Sequence, residues 1–480
     1  MNHQPSTNQP FLIFVLPKRH RMALIKSISG IRGTIGGKTN DNLTPVDIVK
    51  FAAAYGSWIL QQSSNTKIVI GRDGRISGEM VSNLVVNTLI GLGLDVVDLG
   101  LSTTPTVEMA VTFENAAGGI ILTASHNPKE WNALKLLNNK GEFISGDEGK
   151  LILMAAEKED FKFATVDKLG TYTKDESLLQ KHIDAVLNYE LVDAAAIKKK
   201  NFKIVIDAVN STGAIAVPAL LKQLGVTDMV VLNEEVNGHF AHNPEPLPEH
   251  LTDLSNAVVK HNADLGIAID PDVDRLCFVC EDGSMFGEEY TLVAVADYVL
   301  SKRKGNTVSN MSSTKALKDV TIKHGGEYTP SMVGEVNVVN KMKVVNAVIG
   351  GEGNGGIIVP DLHYGRDALI GIALFLTHLA KSKKTTRQLR NTYPDYFISK
   401  NKIELSNGTD VKTIFENIKD LYKNQPINDE DGLKIEFDND WVHLRTSNTE
   451  PIIRIYAESN FATTADNIAK RLMQDIGKMM

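Results

Sequence analysis

Short apolar runs alternate along this chain with stretches in which apolar residues recur at helical spacing. Lys67-Ile68-Val69-Ile70, Gly119-Ile120-Ile121-Leu122, Lys203-Ile204-Val205-Ile206 and Leu265-Gly266-Ile267-Ala268-Ile269 read as buried strands. Each runs into a polar loop and then a helical-period segment. That succession predicts α/β layers, with ligands gathered in the loops at the carboxyl ends of strands. Charged helical stretches near 180–200 and 300–325 mark boundary zones, as does the turn Tyr393-Pro394-Asp395. Beyond that turn the pattern becomes strand-rich, as in Leu433-Lys434-Ile435-Glu436-Phe437. The α/β unit recurs loosely, without a fixed period.

The first 21 residues fit this pattern poorly. Phe11-Leu12-Ile13-Phe14-Val15-Leu16 is apolar, but the basic cluster Lys18, Arg19, His20, Arg21 follows it, whereas a secretory signal carries its positive charge in front. Met22 then opens the strand-like Ala23-Leu24-Ile25-Lys26-Ser27. Residues 1–21 therefore read as a disordered leader, or one wrongly included ahead of the true start.

Composition narrows the class. A chain of 480 residues has room for about three domains. Its formal charge of −7 argues against a polyanion-binding surface, so no nucleic-acid partner is expected. Two cysteines exclude a disulfide framework and suit a reducing cytoplasm. With no apolar run of 18 residues, no membrane span is expected either.

Four loops carry chemistry. Thr123-Ala124-Ser125-His126-Asn127-Pro128 follows an apolar strand, and Asn-Pro forces a turn that leaves Ser125 at the strand end. No Gly-x-Ser-x-Gly elbow surrounds it, and a sequence neighbour on a strand faces the other way, so a Ser–His hydrolytic pair is disfavoured. Asp270-Pro271-Asp272-Val273-Asp274-Arg275 places three carboxylates at alternate positions, which repel unless a cation neutralises them. Oxygen ligands select Mg²⁺ or a similar hard ion. An EF-hand would need Gly where Arg275 stands, and helical flanks. A phosphatase Asp-x-Asp loop would usually carry Thr or Val in place of Asp274. A solvated acidic turn is the bland alternative, and the metal site is the better reading.

The third loop, Gly350-Gly351-Glu352-Gly353-Asn354-Gly355-Gly356, matches Gly-x-Gly-x-x-Gly literally. The acidic residue expected some 20 positions later is missing, so a dinucleotide site is disfavoured. The glycines instead permit close backbone approach, with Glu352 and Asn354 as hydrogen-bonding groups suited to sugar hydroxyls. The fourth, Arg445-Thr446-Ser447-Asn448-Thr449-Glu450-Pro451, is rich in donors and suits a phosphate dianion, with Arg454 offering a second positive charge. Its bland alternative is a hairpin turn with a surface arginine.

These four loops in this order resemble the α-D-phosphohexomutase superfamily, from about Met22 to the C-terminus. Gly30-Ile31-Arg32-Gly33, Gly71-Arg72-Asp73-Gly74-Arg75 and Asn132-Ala133-Leu134-Lys135 share in the resemblance. It implies four domains around a central cleft: three related α/β mixed-sheet domains and a smaller C-terminal α+β domain. The resemblance, with which the boundary zones are compatible, implies domains at 22–180 with the phosphoserine loop, 181–283 with the metal loop, 284–395 with the sugar-recognition loop and 396–480 with the phosphate-binding loop.

The resemblance also implies roles. Ser125 would carry a phosphoryl group and, with Asp270, Asp272 and Asp274, hold one Mg²⁺. Arg32 and Lys135 would lie near the transferring phosphate, Lys135 as a candidate proton shuttle. Arg275, Glu352 and Asn354 would face the sugar, while Arg445, Ser447, Asn448 and Thr449 would bind the phosphate that does not react. The implied activity is an intramolecular phosphotransfer on a hexose phosphate, with a sugar 1,6-bisphosphate as intermediate and activator. Glu-Gly-Asn-Gly-Gly and Thr449-Glu450-Pro451 resemble glucosamine-phosphate enzymes, whereas Asn448 is shared with glucose and mannose enzymes. The expectation is a cytoplasmic phosphoglucosamine mutase, with glucose and mannose phosphates as the alternative substrates. Cys277 and Cys280 should be buried structural thiols, since residues i and i+3 of a strand face opposite sides. His239 and His242 read as surface residues.

Overall fold

The computed structural model describes residues 24–27, 30–406, 409–447 and 452–479. The expected leader, 1–21, lies outside them. Four sheets organise the described residues. The first has seven strands around the parallel trio Gly118–Leu122, Lys67–Arg72 and Asp95–Leu101. In the second, Leu265–Ile269, Lys203–Asp207 and Asp228–Leu232 run parallel and Leu276–Cys280 joins antiparallel. The third repeats this plan, with Tyr328–Ser331, Asn306–Asn310 and Ala347–Glu352 parallel and Gly356–Ile358 antiparallel. The fourth is a five-stranded antiparallel sheet, Phe397–Glu404 to Ile427–Asn428, with helices Val411–Leu421 and Ala462–Gly477. The architecture is therefore three α/β units with mixed sheets followed by a smaller α+β unit.

One shared feature positions the chemistry. In each α/β unit a parallel strand turns directly into an antiparallel partner, and that hairpin carries the polar loop. Gly118–Leu122 pairs with Trp131–Leu137 around Ser125, Leu265–Ile269 with Leu276–Cys280 around the aspartates, and Ala347–Glu352 with Gly356–Ile358 around the glycines. In the fourth sheet, Trp441–Thr446 and Ile452–Ser459 flank the remaining loop in the same way. The strand-then-helix pattern expected from sequence fails after Gly118–Leu122 and Leu265–Ile269. Leu276–Cys280 is wholly apolar and Trp131–Leu137 is apolar but for Asn132 and Lys135, and periodicity alone does not separate a short buried strand from a buried helix turn.

The second and third units share one continuous core. Phe278 of the second sheet stacks on Phe375 of the third unit's helix Ala368–Ser382, ring centroids 3.8 Å apart. Phe286 meets Phe375 edge-on at 5.0 Å. That helix is buried on nearly every side, because it is packed between layers rather than against one. Cys277 and Cys280 are free and buried, and they belong to different clusters of the core. His239 is exposed. His242 differs from its surface reading: half-buried, it meets the buried Asp207 through Nε2 at 2.9 Å.

Candidate active site

Ser125 sits on a loop pulled into an unusual shape. Its φ is +49°, a left-handed conformation that costs a non-glycine residue free energy and must be enforced by its surroundings. The enforcing group is Arg75. Its buried guanidinium donates to the carbonyls of Ser125, Asn127, Pro128 and Trp131, the last three at 2.7, 2.8 and 2.9 Å. Nε is paired with Asp73 at 3.0 Å, so all five donors are used. Thr123 completes the frame, accepting from Ser125 N at 2.9 Å and donating to Asp73 at 2.7 Å.

The loop meets the aspartates of the second unit. Ser125 Oγ donates to Asp270 Oδ2 at 2.7 Å. Asp270 Oδ1 accepts from the backbone N–H groups of Asp274 and Arg275, both at 3.1 Å, which closes the loop on itself. Val273 at the tip has φ +62°, a second strained position, and a severe one for a β-branched residue. The loop is buttressed from the first unit by Thr104, at the start of helix Thr104–Phe113. Thr104 Oγ1 reaches Asp272 Oδ2 at 2.6 Å, and its N–H reaches the Asp272 carbonyl at 2.9 Å.

All three aspartates are fully buried, and their carboxylates offer oxygens within 4.8 Å of one another. Outer oxygens have cationic partners: Lys135 Nζ lies 2.7 Å from Asp272 Oδ2 and 3.6 Å from Asp274 Oδ2, and Arg366 Nη2 lies 2.6 Å from Asp274 Oδ2. Asp272 Oδ1 and Asp274 Oδ1 are buried with no hydrogen-bond partner. A buried carboxylate oxygen without a partner is costly, so these orphans fit a hard cation bound between the side chains. Burial and the charges of Asp274 and Asp272 push Asp270 well above the ordinary carboxylate range. Burial opposes the charged form of Asp272 too, but Lys135 and Thr104 outweigh it and hold Asp272 low. Lys135 stays protonated despite burial because Asp272 and Asp274 face it.

Further cations flank both loops, Arg275 Nε lying 3.9 Å from Asp270 and from Asp274. Arg32 donates to Asn127 Oδ1 at 3.1 Å, and Arg275 reaches Glu245 at 3.1 Å. Burial lowers the Arg32 pKa, and the positive charges of Arg275, Arg75 and Arg366 add to the effect. The His126 imidazole is likewise driven well below its usual range by burial, Arg275 and Arg32. Such a surplus of positive charge suits an incoming phosphate.

Glu352 closes the site from the third unit. Oε1 accepts from Asn310 Nδ2 at 2.9 Å and from Gly334 N at 3.0 Å, and Oε2 accepts from Arg366 at 2.7 Å. Burial opposes its ionisation, yet Arg366 and these donors hold its pKa below the ordinary value. Asn354, on the turn, accepts from Gly356 N at 3.2 Å. The glycines here serve packing: a Cβ on Gly353 would meet Glu289 Oε2 at 2.1 Å, and one on Gly356 would meet Arg366 Cδ at 2.3 Å.

Ser125, the three aspartates, Lys135, Arg275 and Glu352 are thus brought into one connected cluster, with Arg32 bonded to the Ser125 loop. Arg445 and Arg454 are cross-strand neighbours on the fourth sheet. Arg445 Nε donates to Asp431 at 3.0 Å, and Asp431 accepts from Val333 N at 2.8 Å, one residue before the Gly334 that bonds Glu352. Ser447 N donates to the Ile452 carbonyl at 3.0 Å. Asn448 and Thr449 lie outside the described residues. Sequence reasoning passed over Arg366, Glu335, Asn310 and Thr104. Each stands alone in sequence and joins the cluster only through the fold.

A serine beside a buried aspartate cluster, walled by cations and set on repeated α/β units, defines a phosphotransferase of the phosphohexomutase class. Comparison with known families agrees along the chain. Residues 24–163, 180–283 and 287–396 match the phosphoglucomutase/phosphomannomutase α/β/α domains I, II and III, and 402–474 match the C-terminal domain. The chain belongs to this phosphoglucomutase/phosphomannomutase family, within the α-D-phosphohexomutase superfamily. It is 36% identical to a phosphoglucomutase/phosphomannomutase of Thermococcus kodakarensis, covering 89% of this chain and 94% of that one. It is 31% identical to a phosphoglucosamine/phosphogalactosamine mutase of Sulfurisphaera tokodaii, covering 94% and 98%. The crystal structure of a family member from Burkholderia thailandensis superposes with a TM-score of 0.81 at 25% identity, covering 96% and 98%. The protein is an isomerase-type phosphotransferase acting on hexose phosphates. No helix among the described residues is long and apolar enough to cross a membrane.

Proposed function

We propose that this enzyme is a phosphoglucosamine mutase, interconverting glucosamine 6-phosphate and glucosamine 1-phosphate through a phosphorylated Ser125 and a 1,6-bisphosphate intermediate. The observation that carries the chemistry is the Ser125 Oγ held 2.7 Å from Asp270 within the buried aspartate cluster. In the resting enzyme Ser125 holds the phosphoryl group, which passes to the free hydroxyl of the sugar phosphate. The bisphosphate then turns around and returns its other phosphate to Ser125, so added sugar 1,6-bisphosphate acts as an activator. Arg32 binds phosphoryl oxygens, Arg275 faces the sugar, and Lys135, which carries a proton, acts as the proton shuttle at this centre. Asp270, Asp272 and Asp274, with the Ser125 oxygen, would hold Mg²⁺, which supplies charge neutralisation at the phosphoryl group. Arg445, Ser447, Asn448, Thr449 and Arg454 would grip the phosphate that does not react, accepting either end of the sugar in turn.

The choice of amino sugar is supported by the Glu352–Asn354 loop and by the name of the Sulfurisphaera relative. Glu352 is kept ionised and fixed, so it accepts from sugar hydroxyl or ammonium groups. The Thermococcus relative's name favours the second reading, glucose and mannose phosphates. A cytoplasmic location belongs to the same proposal, supported by the two free thiols.

The test is a ³¹P NMR assay with Mg²⁺ and trace sugar 1,6-bisphosphate, offering glucosamine 6-phosphate, glucose 1-phosphate and mannose 1-phosphate separately. Faster isomerisation of the glucosamine ester is expected. Preference for glucose or mannose would overturn the substrate assignment, and release of inorganic phosphate alone would point to a hydrolase.

A further inference from the structure

The residue that joins the metal loop to the sugar loop has no role in the mechanism described so far. Arg366 is buried, and its guanidinium faces three carboxylates from three different segments. Nη2 is 2.6 Å from Asp274 Oδ2, Nη1 is 2.7 Å from Glu352 Oε2, and Nε is 3.2 Å from Glu335 Oε2. Its backbone N–H is tied to Glu335 Oε1 at 2.9 Å. Asp274 and Glu352 accept hydrogen bonds from the two ends of the fork, while Nε only faces Glu335 as an ion pair. A planar fork can hold two acceptors at fixed positions, whereas an ammonium group is a point charge on a flexible stem.

The surroundings hold that fork in place. Gly356 leaves room for its methylene chain, where a Cβ would lie 2.3 Å from Cδ. The next residue, Asp367, caps helix Ala368–Ser382 and contacts His182 of the preceding unit at 2.9 Å. The side chain therefore has fixed neighbours on both sides. Two of its three carboxylates belong to the proposed metal and sugar sites.

We propose that Arg366 is a positioning residue and shared counter-ion: it fixes Glu352 for the sugar and tempers the negative charge that the metal loop presents to its cation. The two effects have opposite signs. Removing the guanidinium frees Glu352 Oε2, so sugar binding weakens. It also uncovers Asp274, so the aspartate cluster attracts a divalent cation more strongly. A merely structural role would weaken both together. The inference rests on the reading of the aspartate loop as a cation site.

The experiment uses the full-length dephosphorylated enzyme. Mn²⁺ binding is followed by electron paramagnetic resonance without substrate, and glucose 1-phosphate binding by calorimetry. In Arg366→Met, Mn²⁺ should bind about three- to tenfold more tightly, and glucose 1-phosphate about tenfold more weakly. Arg366→Lys keeps the charge but loses the fork, so Mn²⁺ affinity should return towards wild type while sugar binding stays weak. Glu335→Gln removes a competing carboxylate and leaves Arg366 to lean harder on Asp274, so Mn²⁺ should bind at least about twofold more weakly. This variant keeps the test open if Arg366→Met does not fold. Parallel weakening of both ligands in the arginine variants, or unchanged affinities throughout, would overturn the role of Arg366. Absence of Mn²⁺ binding to the wild type would overturn the cation-site reading itself.

Discussion

Ser125 and Asp270 are 145 residues apart and belong to different sheets, yet the Ser125 hydroxyl donates to the Asp270 carboxylate at 2.7 Å. Neither unit contains the site alone. The hydroxyl is placed by a strained loop of the first unit, and the carboxylate by a hairpin of the second. Small shifts between the two would separate the reacting oxygen from its charge-stabilising neighbours, and positioning accounts for much of phosphoryl-transfer catalysis.

If Ser125 carries the transferred group, Ser125→Ala should lower turnover by at least about a thousandfold, as expected for loss of a nucleophile. The fold should persist, because the Arg75 bonds in this loop go to backbone carbonyls and not to the Ser125 hydroxyl. Intact-protein mass spectrometry is the direct check. Dephosphorylated wild type incubated with glucose 1,6-bisphosphate should gain one phosphate, and the alanine variant none. A phosphate increment on the variant would move the nucleophile elsewhere.

Removing divalent cations should have a thermodynamic signature as well as a kinetic one. At a Mg²⁺ concentration about a hundredfold above Kd, binding to the native state alone adds about 2.7 kcal/mol of stability. Chelation should therefore lower the unfolding midpoint reversibly. In Asp274→Asn that Mg²⁺-dependent increment should shrink, because a charged oxygen is lost from the pair left orphaned in the protein. An equal increment in wild type and variant, measured by thermal denaturation, would place the ion elsewhere.

The Arg75 side chain makes a third expectation. Four carbonyls of the Ser125 loop and the Asp73 carboxylate converge on it, and it is buried. Arg75→Met leaves these acceptors unpaired and Asp73 without its counter-ion. Breaking such a buried pair costs about 3–5 kcal/mol. Urea denaturation should show that loss, together with a fall in Ser125 phosphorylation, since the left-handed Ser125 backbone loses its support. Full stability in the variant would show that other contacts hold the loop.

How far the sequence could be read depends on whether a site is local. Ser125 and the Asp270–Asp274 run were legible because each lies in one polar loop after an apolar strand. Arg75 was visible only as part of a motif, since the carbonyls it holds lie 50 or more residues away. Arg366 carried a fainter signal, a lone arginine just before the apolar helix Ala368–Ser382, and only the fold reveals its three carboxylates. The glycine loop shows the reverse difficulty. Its spacing imitates a dinucleotide fingerprint, although Gly353 and Gly356 are there to clear Glu289 and Arg366. The left-handed turns at Ser125 and Val273 left no sequence signal, because no glycine marks them.

The last expectation concerns the fourth unit, where a buried histidine sits against the third. His443 Nε2 meets the Asp431 carbonyl at 2.7 Å, and a carbonyl only accepts, so this nitrogen carries the proton. Nδ1 then accepts from the Ser312 hydroxyl at 2.8 Å, across to the third unit. Burial pushes the His443 pKa down to about 4, and the nearby Lys434 and Arg445 charges act in the same direction, against Asp431. An unfolded histidine titrates near pH 6.5. Between these values the unfolded chain takes up a proton that the native state refuses, so stability falls as pH falls from about 6.5 towards 4. The slope from this one group is at most about 1.4 kcal/mol per pH unit. His443→Gln cannot titrate. The stability difference between wild type and this variant, from urea unfolding across that window, should shift against the wild type as the solution is acidified. Because His443 takes up that proton only after leaving its buried site against Ser312, the fourth unit should open first on acidification, seen as faster amide exchange in Trp441–Thr446. A pH-independent difference would show that His443 stays neutral in both states or charged in both.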